Sequence, residues 1–503
     1  MADLPPAIRR IAILHPSYEG SDAPFKDHDV ACNPGPHLRG VPYDDFSIHK
    51  ATAMRELQTI ARAGYDAVIN LCDGAWDDDR AGIEVVTALE RLNVAFTGGG
   101  STFYDPSREA MKMACHAAGV GFPAYIITRG KQHLDHDVAR ALKNLRFPMI
   151  VKHPNSYSSV GMTAHSRVTD AIGLRREVAR STADYGNALI EEFIEGREFT
   201  VLVAEPRQGE DEAWALTPVE FTFPPGESFK HFDMKWQRAG EMDVRVVTDP
   251  VLDAALRHAS RALFTALNGS SYARCDLRVD ANGTVYVLEI NPYPGIFYPP
   301  GSFGSADFIL AHDPSGHEGF LAHLLTRALR RKAANERVFR IEYTREGGFG
   351  LVAARAIATG ERIERYEERA QVLVSAAHVE KTWRGLRREW FDRYAWPVGP
   401  GVFVTWDADP EGWRPINHSC DPTAWLEGQD IVARTDIAEG QEITVDYATF
   451  CGAGMAPFTC TCGAPMCRTT VRGEDFLLPD LRARYGDHVS GWVRAQRAGG
   501  GAG

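Results

Sequence analysis

Hydrophobic and polar positions change rhythm three times along this chain. Residues 11–14 and 67–71 are short unbroken apolar runs, the mark of strands buried on both faces. Between them, residues 50–63 place apolar side chains at helical spacing, and residues 82–92 repeat that pattern before a short β-type run at 94–97. Strands alternating with helices predict an α/β layer, closed by Gly98-Gly99-Gly100. Residues 106–330 mix helical stretches with antiparallel strand patterns, an α+β arrangement. From Val338 onward short strands alternate with Gly- and Pro-rich turns, interrupted by one helical stretch at 376–394. The chain therefore predicts a multidomain protein: α/β at 1–105, α+β at 106–330, a polar linker at 331–337 and a mostly β domain at 338–451. A cysteine-bearing segment at 452–475 follows, then a C-terminal helix and disordered tail within 476–503.

One hairpin carries candidate chemistry. Asp249-Pro250 reads as a helix start and Gly269 as its end. Two β-rich runs then flank Asn282-Gly283, the strongest short-range hairpin signal. A two-residue turn there pairs Asp276 with Glu289 and Arg274 with Asn291, all on one face, and turns Leu277, Leu288 and Ile290 toward a core. Two acids directly opposite each other repel unless something neutralises them. A bound Mg²⁺ would do so, with Arg274 nearby to hold a phosphate. The alternative is a solvated edge ribbon with a salt bridge.

The second candidate set is sulfur. Cys460, Cys462 and Cys467 lie within eight residues, and a tetrahedral zinc needs a fourth ligand, for which Cys420 is the natural choice. Cys451, before a Gly-Ala-Gly stretch, suits less well. Hard cations prefer oxygen and thiolates select zinc, so the two sets imply two sites of different chemistry.

Further segments extend the first set. An apolar strand ends at Lys152, and the small-residue loop after it, including Ser158 and Ser159, has backbone N–H groups suited to phosphates. Glu191 and Glu198 are spaced acids suited to an adenine amino group and ribose hydroxyls. Together the segments 150–162, 189–200, 229–236 and 273–296 resemble the ATP-grasp fold of D-alanine–D-alanine ligases, over about residues 10–310. That resemblance implies Lys152, Glu191 and Glu198 around ATP, and Ser158, Ser159 and Lys235 near the transferred phosphate. It implies Asp276, Glu289 and Asn291 as Mg²⁺ ligands, with Arg274 and Gly295 stabilising an acyl intermediate. The chain also departs from the family. His15-Pro16-Ser17-Tyr18-Glu19 replaces a Gly-Gly turn, and Arg108 stands where an ATP-site lysine is usual. Phe297-Tyr298-Pro299-Pro300 replaces the small hydroxyl residues that grip the second substrate, so aromatic walls and a larger or less polar acceptor are expected. Glu19 is a candidate to meet a substrate amine. Asp77-Asp78-Asp79 reads as a solvated loop.

The motifs Arg414-Pro415-Ile416-Asn417-His418-Ser419-Cys420 and Gly440-Gln441-Glu442-Ile443-Thr444-Val445-Asp446-Tyr447, with the cysteine run, resemble a SET domain and its post-SET zinc knuckle, over about residues 338–475. The resemblance implies that Gly348, Gly350, Asn417 and His418 bind S-adenosylmethionine. It implies that Tyr447 orients the attacking amine and that Tyr366 borders the channel.

Composition adds exclusions. A 44% apolar, 24% charged chain of 503 residues is ordinary for globular domains, and a net charge of −12 argues against nucleic-acid binding by bulk electrostatics. No run approaches the ~18 apolar residues of a membrane span, and nine cysteines fit a reducing compartment, so a cytoplasmic setting is expected. Lysine is scarce, 10 against 45 arginines, which makes each placed lysine more informative. The expectation is a bifunctional enzyme using ATP, Mg²⁺, S-adenosylmethionine and Zn²⁺. It would ligate a carboxylate of an amino acid or peptide to an amine and methylate an amine. The alternative is a protein-lysine methyltransferase whose ATP-grasp half senses nucleotide or docks a partner. Family analogy alone implies a homodimer.

Overall fold

The first apolar run forms the strand Ile11–Pro16, which lies in a parallel sheet between Tyr43–Ile48 and Ala67–Asn70. The structure, a computed structural model, describes residues 4–76, 78–155, 159–344, 348–366, 372–405, 414–452 and 455–499. Tyr43–Ile48 escapes the sequence pattern because it is an edge strand, with Tyr43, Asp44, Asp45 and Ser47 exposed. The run at 94–97 adds only a bridge from Phe96 to Val68. Helices Ala53–Arg62 and Ile83–Arg91 bury Leu57, Ile60, Val85 and Leu89 with Ala12 and Leu14 of the sheet.

Two antiparallel sheets follow in the same unit. The four-stranded one runs Tyr125–Ile127, Leu189–Glu192, Met149–Lys152, Arg167–Val168. The larger one runs Asp243–Val246, Val219–Thr222, Arg197–Ala204, Tyr272–Val279, Val285–Asn291, with Trp214–Ala215 paired to Arg197–Ala204. Helix Pro250–Ala266 packs on it, its N-terminus capped by Asp249 accepting from the Val251 and Leu252 N–H groups. Its end is closed by Gly269, as expected, through the Gly269 N–H bonded to the Phe264 carbonyl at 2.8 Å; the left-handed residue is Asn268 (φ 52°), and a Cβ on Gly269 would lie 2.5 Å from the Phe264 ring.

The hairpin pairs Asp276 with Glu289 and Arg274 with Asn291, but not through a two-residue turn. The loop is three residues, 281–283, with Gly283 at φ 81° and its N–H bonded to the Asp280 carbonyl. Below it Val279 pairs with Val285 and Leu277 with Val287, one residue off the expected register. A bulge at Leu288 restores the register before Glu289. The consequence is local. Val287 packs in the core with Leu277 and Ile290, whereas Leu288, expected there, lines a cavity.

The chain divides into two compact units, 1–335 and 336–503. The segment expected as a linker from 331 is helical to its Asn335, as the end of Gly316–Asn335. The second unit is built of short strands, in the sheet orders Phe339–Thr344, Gly348–Ala353, Glu442–Val445, Asn417–His418; Arg362–Glu364, Asp430–Ala433, Ala424–Glu427; and Val372–Ser375, Val402–Thr405, Trp396–Gly399. The stretch 376–394 is two helices, Ala376–Thr382 and Gly385–Tyr394, broken where Gly385 adopts φ 55°. The C-terminus likewise has two helices, Pro479–Tyr485 and Gly491–Gly499, where one was expected; the last four residues of the expected disordered tail lie outside the described residues. No described helix is long and apolar enough to cross a membrane.

Candidate functional sites

Residues of both antiparallel sheets in the first unit line one cavity of about 580 Å³. Lys152, at the end of its strand, places Nζ 2.7 Å from the Glu191 carboxylate on the neighbouring strand. A second lysine, Lys112 of helix Arg108–Ala117, pairs with the same carboxylate. Burial pushes the Glu191 carboxyl up, but the two ammonium groups outweigh it and hold it down to about 2. Sequence reasoning missed Lys112. Its signal was legible: a scarce lysine on the buried stripe formed by Met111, Ala114 and Cys115.

Glu198 is buried, 3.8 Å from Lys230, another lysine not singled out. Lys230 Nζ stands 3.1 Å from the centre of the Phe221 ring, and burial lowers its pKa. Lys235, on the short helix Phe232–Trp236, is lowered to about 8 by burial and then by the Arg274 charge. Ser159 adopts φ 60° and donates its hydroxyl to the Lys230 carbonyl at 3.1 Å, tying the small-residue loop to the lysine segment. Ser158 lies outside the described residues.

On the hairpin face Arg274 donates two hydrogen bonds to Asp276, from Nε at 3.0 Å and from Nη2 at 2.8 Å, and the Thr200 hydroxyl adds a third at 2.7 Å. Burial raises the Asp276 carboxyl, yet Arg274 more than reverses this and holds it well below the usual carboxylate range. Glu289 pairs instead with Arg108. Asn291 Oδ1 accepts the Tyr293 N–H at 3.1 Å and keeps a lone pair. All three side chains line the cavity. Two carboxylates and an amide oxygen on one face are a hard donor set that fits Mg²⁺.

Gly295 lines the same cavity, and a Cβ there would lie 2.7 Å from the Tyr298 hydroxyl. Of the aromatic residues expected as walls after it, Tyr298 lines the cavity while Phe297 is buried in the core. Two other expectations fail. Glu19 is 85% exposed at its side chain and pairs with His49, so it does not reach the cavity. Of the loop read as solvated, Asp79 is exposed, but the Asp78 side chain is buried against the fully buried Arg80, and Asp77 lies outside the described residues.

In the second unit, Gly350 abuts two polar side chains: a Cβ would lie 2.7 Å from Asn417 Nδ2 and 2.8 Å from Glu442 Oε1. Asn417 donates to that Glu442 oxygen at 2.8 Å. Gly348, at φ 72°, opens the same strand. His418 Nδ1 accepts the Tyr447 N–H at 3.1 Å, and burial lowers the imidazole to about 4 against the opposing charge of Asp446, so the ring is neutral. Tyr447 donates its hydroxyl to the Ile416 carbonyl at 3.0 Å, and burial raises it above the usual phenol range. Buried Tyr366 begins an aromatic row: its ring lies 4.8 Å from Trp396, Trp396 4.7 Å from Phe450, and Phe450 5.1 Å from Tyr447.

The sulfur atoms of Cys420, Cys460, Cys462 and Cys467 all lie within 4.8 Å of one another. The backbone N–H of Cys420 points at the Cys462 sulfur, that of Arg468 at Cys420 and that of Thr469 at Cys467, each at 3.4 Å. Four thiolates so arranged fit zinc. Cys451 is buried in the core away from this group. Asp446, fully buried, accepts two hydrogen bonds from Arg468 at 2.7 Å and one from Tyr485 at 3.0 Å, joining the segment before Tyr447 to the cysteine knuckle and the C-terminal helices.

Residues 115–298 match the family model described as D-ala D-ala ligase C-terminus, and residues 348–448 match the SET domain. The D-alanine–D-alanine ligase of Cupriavidus necator is 25% identical over 260 residues, 51% of this chain and 74% of that protein. The uncharacterized protein y4sG of Sinorhizobium fredii is 30% identical over 257 residues, 50% of this chain and 70% of that one. A crystal structure of the D-alanine–D-alanine ligase of Bacillus anthracis, complexed with ATP, is similar at a TM-score of 0.49 and 18% identity, over 65% of this chain and 100% of that one.

Proposed function

Because this chain belongs to the D-alanine–D-alanine ligase family through residues 115–298 and carries a SET domain over residues 348–448, we propose that it is a bifunctional enzyme. Its first unit is an ATP-dependent carboxylate–amine ligase acting on amino acids or peptides through an acyl phosphate. Its second unit is an S-adenosylmethionine-dependent amine N-methyltransferase.

The observation that carries the ligase reading is one cavity lined both by the Lys152–Glu191 pair, which buried Lys112 backs, and by the Asp276–Glu289–Asn291 face. In this reading Lys152, Glu191 and Glu198 hold ATP. Lys235, Ser159 and Ser158 steady the phosphate that moves, and Arg274 with the Gly295 backbone steadies the acyl group. Asp276, Glu289 and Asn291 would hold Mg²⁺, which when bound supplies neutralisation of phosphate charge. Positioning and charge neutralisation supply most of the rate, since no strong base is required of the protein.

For the second unit, Gly348, Gly350, Asn417 and His418 hold S-adenosylmethionine. Tyr447, its phenol neutral and anchored on Ile416, orients the incoming amine, and Tyr366 borders its path. Catalysis there rests on alignment and exclusion of water around a neutral amine. The cysteine group would hold a structural zinc.

A single incubation tests both halves. Protein, ATP, Mg²⁺, S-adenosylmethionine, hydroxylamine and an amino-acid mixture are combined and followed by mass spectrometry. Acyl hydroxamates and condensed products are expected from the first unit, and products heavier by one methyl group from the second. Absence of hydroxamate and of ADP would remove the ligase reading. A methyl-transfer rate unchanged in Tyr447→Phe would remove the role given to Tyr447.

A further inference from the structure

One wall of the ligase cavity is built from side chains that the ATP and Mg²⁺ assignments do not use. Asp29, Asp73, Phe25, Trp236 and Tyr298 line it. Tyr298 donates its hydroxyl to Asp29 Oδ1 at 2.8 Å, and Tyr18 donates to Oδ2. Both phenol protons are therefore committed to one carboxylate, which keeps further lone pairs for a donor from the cavity. Among the described residues no cation pairs with Asp29. Asp73 has Arg80 2.8 Å away, but that guanidinium is fully buried behind the wall and shared with Asp78 at 2.7 Å. Burial raises the Asp73 carboxyl in spite of Arg80. Phe25 and Trp236 stack at 5.0 Å beside these acids. A carboxylate brought to this wall would meet two like charges and find its tyrosine donors occupied; a cation would meet two carboxylates, while the Phe25 and Trp236 rings, already faced by Arg80 and Lys235, give the wall its apolar surface.

We propose that the acceptor of the ligase half is a dicationic amine, an attacking amino group joined by an aliphatic spacer to a second ammonium or guanidinium group that sits between Asp29 and Asp73. This rests on the ligase reading above. The step balances simply. The neutral amine attacks the acyl phosphate carbon, the C–N bond forms, the C–O bond to phosphate breaks, inorganic phosphate leaves and the amine proton passes to solvent. The second cation takes no part in bond making and serves as the handle.

Three acceptors with similar spacers but different far ends test this on the full-length protein: 1,5-diaminopentane, pentylamine and 5-aminopentanoate. Each is offered with ATP, Mg²⁺ and the amino-acid mixture as acyl donors, and hydroxylamine is used separately to trap acyl phosphate. The diamine is expected to be condensed with a kcat/KM at least tenfold above pentylamine, and 5-aminopentanoate to be the poorest. In Asp29→Asn the diamine-to-pentylamine ratio should fall at least tenfold. Hydroxamate formation together with equal or preferred use of pentylamine or 5-aminopentanoate would overturn the dicationic acceptor and leave the ligase reading standing. No hydroxamate with any acyl donor would remove both. The wild-type ratio decides the matter even if Asp29→Asn does not fold.

Discussion

Asp276 and Glu289 are direct cross-strand partners, yet each carboxylate is held by a different arginine, Arg274 for the first and Arg108 for the second. The repulsion expected between facing acids is thus met within the protein. Arg108, placed by the sequence where an ATP-site lysine is usual, closes this charge balance from helix Arg108–Ala117.

Arg108→Met should therefore make the fold sensitive to Mg²⁺. Removing one partner of a partly buried pair costs about 1–3 kcal/mol, below the 3–5 of a fully buried one. Thermal melts should show a Tm loss of several degrees in EDTA that millimolar Mg²⁺ largely restores; a loss that Mg²⁺ does not recover would argue against an ion on this face.

The bulge separates two neighbouring leucines by environment. Leu277→Ala, in the core, should destabilise the first unit by about 2–5 kcal/mol in urea unfolding. Leu288→Ala, at the cavity, should cost less than about 1 kcal/mol and instead raise the KM for ATP severalfold. Equal stability losses would place Leu288 back in the core.

Glu191 gives a pH test whose sign is determined by its depressed pKa. Its ordinary value is 4.5 and the fold holds it down to about 2, so its contribution is complete above about pH 5 and is lost as pH falls toward 2. That contribution is on the order of 3 kcal/mol. The stability gap between wild type and Glu191→Gln should be widest near pH 6 and close on acidification. A gap independent of pH would show that packing, not charge, sets it.

Lys235 is lowered from 10.5 to about 8, so the free protein loses this ammonium as pH rises through 8. kcat/KM for ATP, which reports the free enzyme, should decline above that pH. Lys235→Arg keeps its charge throughout and should carry activity to higher pH; an identical alkaline limb in both proteins would assign the titration elsewhere.

Cys462→Ser removes one of four clustered thiolates. Bound zinc, measured by elemental analysis, should fall from near one per chain to below about a tenth, and methyl transfer should drop at least a hundredfold, as expected when a structural zinc site loses a ligand. Retention of full zinc would show that Cys462 is not one of its ligands.

The hairpin shows how far local pattern reaches. Asn282-Gly283 marks the reversal, and the facing of Asp276 and Glu289 agrees with expectation, although the route to it does not. A three-residue loop displaced the register and the bulge at Leu288 restored it. Nothing in a strand pattern marks a bulge, because alternation reads the same until one residue is extra. Lys112 was legible as a lysine on an apolar helical stripe, and the four cysteines were legible as a tetrahedral set. Phe297 was misjudged because its chemistry suits either a wall or a core, and a φ of 67° turns it inward.

What the sequence alone determined is what depends on near neighbours and on residue chemistry: the α/β, α+β and mostly β stretches, the acid-bearing hairpin, the thiolate set and the resemblances they carry. Only the tertiary structure decided which charges meet. Tyr298 reaches Asp29 across 269 positions, and Lys112 of a helix meets Glu191 of a strand in a buried ion pair. Such pairings follow from packing of sheets and helices that no local periodicity encodes. They determine which carboxylates are neutralised, and so which remain for a substrate.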